Sequence, residues 1–297
     1  MTSVNTDVES SAVARFFSSA VLKELAALGR SPTLARLIRE SGMNFDELSQ
    51  ENLSVLFDHA FDFLKYRKNR HEYVYKTALM QKVLLGIHSL NTASMLTEFR
   101  IAPCKADVVI LNGTGTVYEI KSERDSLSRL EEQLSAYSSV FAKVNVILGE
   151  NHLKAAMAVI PDYVGIMVLS DRYQITTLRE ATDDASRTSP AAIFEALSQR
   201  EAALILKAAG VEIPKVPNTK SYEALRRLFV DLDSDFAHKE MVNVLKKTRN
   251  LLPLESLLKE LPKSLYTVAI ASKLRRKDQV RLIGSLNTPI CEAKFWG

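Results

Sequence analysis

Apolar residues recur every three or four positions from Val8 to about Lys65, as in AVARFFSSAVLKELAAL and PTLARLIRES. That period predicts amphipathic helices through the opening of the chain. Ser31 before Pro32 marks one helix start, an N-cap followed by proline at the first helical position. SPTLARLIRESG has the outline of half a helix-turn-helix, although helices that simply pack together are the plainer account. A further helix is expected from about His71 to Ile87, and then the period changes. SMLTEFRI (94–101), ADVVIL (106–111) and TVYEIK (116–121) are short β-branched or alternating runs and predict three strands in succession. NGTG joins the last two as a hairpin, because Asn-Gly readily supplies the positive φ of a tight turn. SLSRLEEQLSAYSSVFA then predicts a helix, KVNVILG a strand, NHLKAAMAVIP a helix and YVGIMVLS a strand.

The order helix, three strands, helix, strand, helix, strand describes an α/β fold, in which strands that follow a crossover helix pair in parallel within a mixed sheet. Three regions are expected: an N-terminal helical region over 1–68, the α/β core over 69–175 and a mainly helical C-terminal region over 176–297. The last includes SPAAIFEAL, with its N-cap serine and proline, and the proline-bearing joint EIPKVPNTK.

Composition narrows the class only slightly. With 297 residues, 46% of them hydrophobic, the chain can bury a sizeable core. No apolar run approaches the ~20 residues of a membrane span, and the first residues carry acids and serines where a signal peptide has a basic and then an apolar segment. The expectation is a cytoplasmic protein with no membrane partner. Cys104 and Cys291 have no CxxC spacing and no neighbouring histidine cluster, so neither a zinc site nor a disulfide framework is suggested. Lys plus Arg total 39 against 35 acids, a net charge of +4. Three local runs, KYRKNRH (65–71), KKTR (246–249) and KLRRK (273–277), together favour a polyanionic partner over three unrelated solvated faces.

The chemistry concentrates in ADVVILNGTGTVYEIKSERD, where Asp107 opens one apolar run and Glu119-Ile120-Lys121 closes the next. Either these charges sit on the wet side of an ordinary hairpin, or they converge on a metal ion and a phosphate. Burial among Val, Ile and Leu favours the second, since an unpartnered buried acid is costly. Mg²⁺ takes hard oxygen ligands and keeps several waters, so Asp107, Glu119 and the Ile120 carbonyl would make an open site, with Mn²⁺ as the alternative ion. Glu119 and Lys121 are two apart on a strand and share a face, which sets an ammonium beside the metal-bound water. Glu98, on the preceding strand, adds a further ligand or a second-ion site. The plain alternatives are a Lys121 salt bridge to one of the acids, and boundary positions for Gln133 and Tyr137 on the helix that follows. Glu72 reads as a helix N-terminal charge, and His71 and His88 as structural residues. A second Glu-x-Lys, Glu292-Ala293-Lys294, has neither an acid-bearing hairpin before it nor an amphipathic helix after it, and it receives no role.

On these residues, roughly 70–170 resembles the core of the PD-(D/E)XK nuclease superfamily, the restriction-endonuclease-like fold. Asp107 matches the first acid of the signature, Glu119 the second and Lys121 the lysine; Gln133 and Tyr137 are similar to the Gln-x-x-x-Tyr of the RecB-like branch. Ala106 stands where proline often precedes the first acid. The resemblance implies a metal-dependent nuclease acting on DNA in preference to RNA, with the helical regions providing substrate grip, a homodimer contact or a partner-protein surface. The alternative is a nucleic-acid-binding or regulatory protein that keeps the fold without cutting.

Overall fold

A computed structural model describes residues 6–87 and 89–297; His88 and the first five residues, on which the sequence expectations also drew, lie outside them. The chain forms two compact units. One comprises residues 1–80, 171–173 and 252–297 and, in its described residues, is helical; the other comprises 81–170 and 174–251 and holds the sheet. This division differs from three consecutive regions broken at 68/69 and 175/176. The hydrophobic period shows that a helix has an apolar face but not which element that face covers. The helices between Pro190 and Thr248 belong to the sheet unit, while those from Glu255 onward belong with the N-terminal helices.

In the helical unit, Ser31 caps the helix Pro32–Glu40, its hydroxyl accepting from the Leu34 N–H at 3.0 Å, and Leu34, Ala35, Leu37 and Ile38 are buried. The helix Ser19–Leu28 packs against both Tyr266–Ser272 and Arg276–Leu286. Among the described residues no helix is long and apolar enough to cross a membrane. Neither Cys104 nor Cys291 forms a disulfide.

The sheet unit is mixed α/β. Its strands are β1 (Ser94–Ile101), β2 (Cys104–Leu111), β3 (Gly115–Lys121), β4 (Lys143–Leu148), β5 (Gly165–Leu169) and β6 (Ile175–Arg179), and they lie in that spatial order. β1–β2 and β2–β3 are antiparallel, β3–β4 and β4–β5 parallel, and β5–β6 antiparallel. Gly113 in the NGTG turn has φ 94°, the positive value expected of that hairpin. Each parallel step is bridged by a helix, Leu130–Ser138 before β4 and Leu153–Val159 before β5. β3 is buried along its whole length, so Glu119 and Lys121 are charges placed in the interior of the fold.

β6 was not expected from sequence. Its run, ITTLR, is short and largely exposed, and only the β-branched Ile175, Thr176 and Thr177 hint at a strand. The predicted helix beginning near Ser126 starts instead at Leu130.

One layer of the core gathers Val117 of β3, Leu130, Leu134 and Tyr137 of the 130–138 helix, and apolar residues of the helices Pro190–Ala196, Gln199–Ala208, Asn218–Phe229 and Ser234–Thr248. A capping box, Ser198 with Glu201, starts the second of these. Glu201 also takes two Arg249 bonds of 2.8 Å. Burial raises the Glu201 carboxyl, but the Arg249 guanidinium and Ser198 outweigh it and bring it down to about 2.

His238 lies 4% exposed in the same layer, its Nε2 accepting from the Ala142 N–H at 3.2 Å. Burial lowers its imidazole to about 4, against the opposing pull of Asp183 and Asp235. The folded state therefore holds the neutral ring. The stability this contributes is complete above the unfolded value near 6.5 and is lost as pH falls toward about 4. The full loss is about 3 kcal/mol. Urea melts of wild type and His238→Gln across that window test it: the difference between the two curves should close as pH falls, and a constant difference would refute the assignment.

Candidate functional site

The sheet places its charged residues where two strands lose their regular alternation. Core-facing residues of β2 are Cys104, Ala106, Val109 and Leu111, so the two-residue period slips by one across Asp107 and Val108. β1 slips in step, from Leu96 to Phe99 and Ile101, across Thr97 and Glu98. Glu98 takes φ 54°, a left-handed conformation that costs a non-glycine residue about 1–2 kcal/mol. The pairs Thr97–Val108 and Phe99–Ala106 set Glu98 across from Asp107, where the ladder is interrupted. On the other side of β2, the pairing with β3 ends at Val108–Tyr118. Beyond it, the Asp107 side chain takes over, with Oδ2 accepting from the Ile120 N–H at 2.8 Å.

Glu119 and Lys121 point to the same face, beneath the 130–138 helix. There Lys121 Nζ lies 2.9 Å from Glu119 Oε1 and donates to Gln133 Oε1 at 2.8 Å, while Gln133 Nε2 donates to Glu119 Oε1 at 2.6 Å. These three side chains close a ring. Tyr137, one helical turn beyond Gln133, has its hydroxyl 2.8 Å from Glu119 Oε2 and 2.9 Å from the Lys105 carbonyl, within donating distance of both. Leu130 and Leu134 bury the adjoining surface of the helix and set its height above β3.

The electrostatics follow from this burial. Glu119 is 2% exposed, and desolvation raises its carboxyl above the usual range although Lys121, Tyr137 and Gln133 all pull it down. Burial, and after it the Glu119 carboxylate, raises the Tyr137 phenol well above its ordinary value and keeps it protonated as a donor. Glu98 and Asp107 are wetter. A carboxylate oxygen of each lies within 4.8 Å of the other, and Glu98 Oε2 is 3.2 Å from Lys105 Nζ.

Glu98, Asp107, Glu119, Ile120, Lys121, Gln133 and Tyr137 therefore lie on neighbouring stretches of β1–β3 and the helix above them, from the exposed Glu98 to the buried Glu119 and Tyr137. They fall into two groups: the oxygen pair Glu98–Asp107, and the ring Glu119–Lys121–Gln133 with Tyr137. Mg²⁺ takes hard oxygen ligands, and the carboxylate pair Glu98–Asp107 is of the kind that would hold such an ion. Glu119 closes the ring through Oε1, while Oε2 lies outside it, accepts from Tyr137 and still has a lone pair to offer an ion. Ile120 contributes its N–H to Asp107, which fixes that carboxylate in place. Lys105 was not singled out from sequence; its carbonyl and ammonium reach Tyr137 and Glu98, and only its position next to Ala106-Asp107 could have pointed to it.

A family model for Bacteriophage P4 protein cII matches residues 65–267 of this chain. The chain belongs to the bacteriophage P4 protein cII family. Protein cII of Enterobacteria phage P4 is 32% identical to it over 80 residues, 26% of this chain and 30% of that protein. The chain thus matches less than a third of the length of that curated relative. A solved structure, the SPO1766 protein of unknown function from Silicibacter pomeroyi, is 17% identical and covers 40% of this chain and 80% of its own, with a TM-score of 0.27. At that score it carries no argument about this cII-family chain, and the site has to be read from its own residues.

Proposed function

We propose that this is a cytoplasmic, metal-dependent nuclease with a restriction-endonuclease-like core, hydrolysing phosphodiester bonds of DNA in preference to RNA. The observation that carries the proposal is the ring of Glu119, Lys121 and Gln133 closed beside Asp107, an assembly of residues from two strands and a helix. The sequence of antiparallel strands, helix and parallel strand supports it as well. Asp107 and Glu98, joined by Glu119, are the groups that would hold Mg²⁺ or Mn²⁺. Such an ion supplies Lewis acidity to the phosphodiester and acidity to a bound water.

The chain's own residues do the rest. Lys121 presents a fixed positive charge in a water-poor setting, where it stabilises negative charge gathering on phosphate oxygens. Gln133 holds the Lys121 ammonium through its amide oxygen, limiting the reorganisation needed at the moment of reaction. Tyr137 holds the far oxygen of Glu119, so that the carboxylate keeps its direction beside Lys121.

A second reading is favoured by one observation, that Glu119 is almost wholly buried with both oxygens engaged. In it the ring is a structural pin, and the protein binds nucleic acid without cutting. Incubating the purified chain with linear duplex, circular duplex, single-stranded DNA and RNA, each with Mg²⁺, Mn²⁺ or EDTA, separates the two. The nuclease reading expects DNA products that require the ion and disappear in EDTA. Intact substrates under every condition would defeat it and leave the second reading.

A further inference from the structure

Of the three cationic runs in the sequence, two give up part of their charge to contacts within the fold. Arg70, in the first, is 1% exposed with its Nε donating to the Lys65 carbonyl, and Lys65 pairs with Asp62 at 2.6 Å. Arg249, in the second, is bound to Glu201. The third, Lys273–Lys277, stays open, and it borders a cleft of about 680 Å³ within the helical unit.

This cleft lies where the helix Ser19–Leu28 meets Tyr266–Ser272 and the start of Arg276–Leu286. Ala26, Ala27 and Ala271 line it with small side chains and leave room, while Lys23, Lys273 and Arg275 supply charge. Arg275 is balanced by Asp278 at 2.7 Å. Lys23 and Lys273 are exposed and have no ion pair among the described residues, as is also true of Arg276 and Lys277 on the first turn of the adjoining helix. That helix follows Arg275 with no side-chain cap, and Asp278 in its first turn offsets its positive dipole end, so the field at the cleft comes from the lysines and arginines. Lys273, an exposed residue of the cleft lining, ends the helix Tyr266–Ser272 in a left-handed conformation of φ 48° that glycine takes without strain.

We infer that this cleft binds the phosphate backbone of duplex DNA without reading its sequence. Unpaired lysines around a recess with small walls suit a chain of phosphates, each contact releasing condensed counterions. Among the described residues, no array of aromatic or amide side chains lines the cleft to distinguish bases. The choice of DNA rests on the nuclease reading, for which the cleft would be the grip on substrate; the binding does not depend on cleavage.

The test is fluorescence anisotropy of the full chain with a short labelled duplex in EDTA, from about 50 to 200 mM salt. Lys23→Gln/Lys273→Gln should weaken binding about tenfold or more at the lower salt and reduce the log–log salt slope by about 2, one unit per lost contact. Lys23→Arg/Lys273→Arg should keep both, which separates lost charge from lost folding. Unchanged affinity and slope in the glutamine variant would overturn the inference. So would a wild-type chain that ignores duplex DNA or binds only anionic vesicles. A chain that binds through these lysines and never cuts would sink the nuclease reading while leaving this one standing.

Discussion

Lys121→Met should lower folding stability by about 3–5 kcal/mol at neutral pH, the usual cost of leaving one member of a buried ion pair without its partner. Lys121 and Glu119 are 9% and 2% exposed at their side chains, so little water is available to replace the lost bond. Glu119 is already raised by burial, and removing the ammonium raises it further. For a carboxyl raised on folding, the associated stability is fully present below its unfolded value near 4.5 and is lost as pH rises through the folded one. The deficit of Lys121→Met should therefore shrink as pH is lowered. Adding Glu119→Gln to it should recover more than half of the loss at neutral pH, because two neutral side chains of similar volume remain under Gln133 and Tyr137. Urea melts of the two single variants and the double form the cycle that checks this. Additive losses would mean that the bond of 2.9 Å contributes nothing of its own.

Asp107→Asn should reduce cleavage at least about a hundredfold with little change in melting temperature. Groups that merely orient metal ligands already cost 10–100-fold when removed, and Asp107 is assigned as a ligand itself. Asparagine keeps an oxygen able to accept from the Ile120 N–H, so the join between β2 and β3 survives. Glu292→Gln and Lys294→Ala provide the internal contrast. That copy of Glu-x-Lys falls at a short helix, Ile290–Ala293, where residues two apart do not share a face, and cleavage should stay at the wild-type rate. A loss there equal to that of Asp107→Asn would show the motif working without its strand context.

Much of the sheet was legible because its strands carry their own local signals. The runs ending at Ile101, Leu111 and Lys121 are β-branched and bounded by turn residues, and the helices between β3, β4 and β5 repeat at the helical period. The ring under the 130–138 helix was legible for a related reason. Glu119 and Lys121 share a face by the strand period, and Gln133 and Tyr137 share one by the helical period, so a single packing event joins all four.

What was hidden arises from positions that no local pattern encodes. The phase slips at Glu98 and Asp107 depend on two strands deforming together. Glu119 looks in sequence like a metal ligand ready for use; in the fold it is held by three side chains. Arg70 sits in a strongly cationic run and yet is 1% exposed, a large side chain fully buried, its Nε donating to a main-chain carbonyl five residues away. Lys23 joins Lys273 across 250 residues of chain because two helices pack, which no window of sequence could reveal.

The hairpin acids are either chemical or merely structural, and cleavage distinguishes the two. The most direct measurement is single-turnover cleavage of a labelled linear duplex by wild type and by Asp107→Asn/Glu119→Gln, each in Mg²⁺ and in EDTA, with folding of both verified by melting. Wild type should cut only when the ion is present, and the double variant should fold and not cut. A folded double variant that cuts in Mg²⁺ at the wild-type rate would contradict the assignment of Asp107 and Glu119.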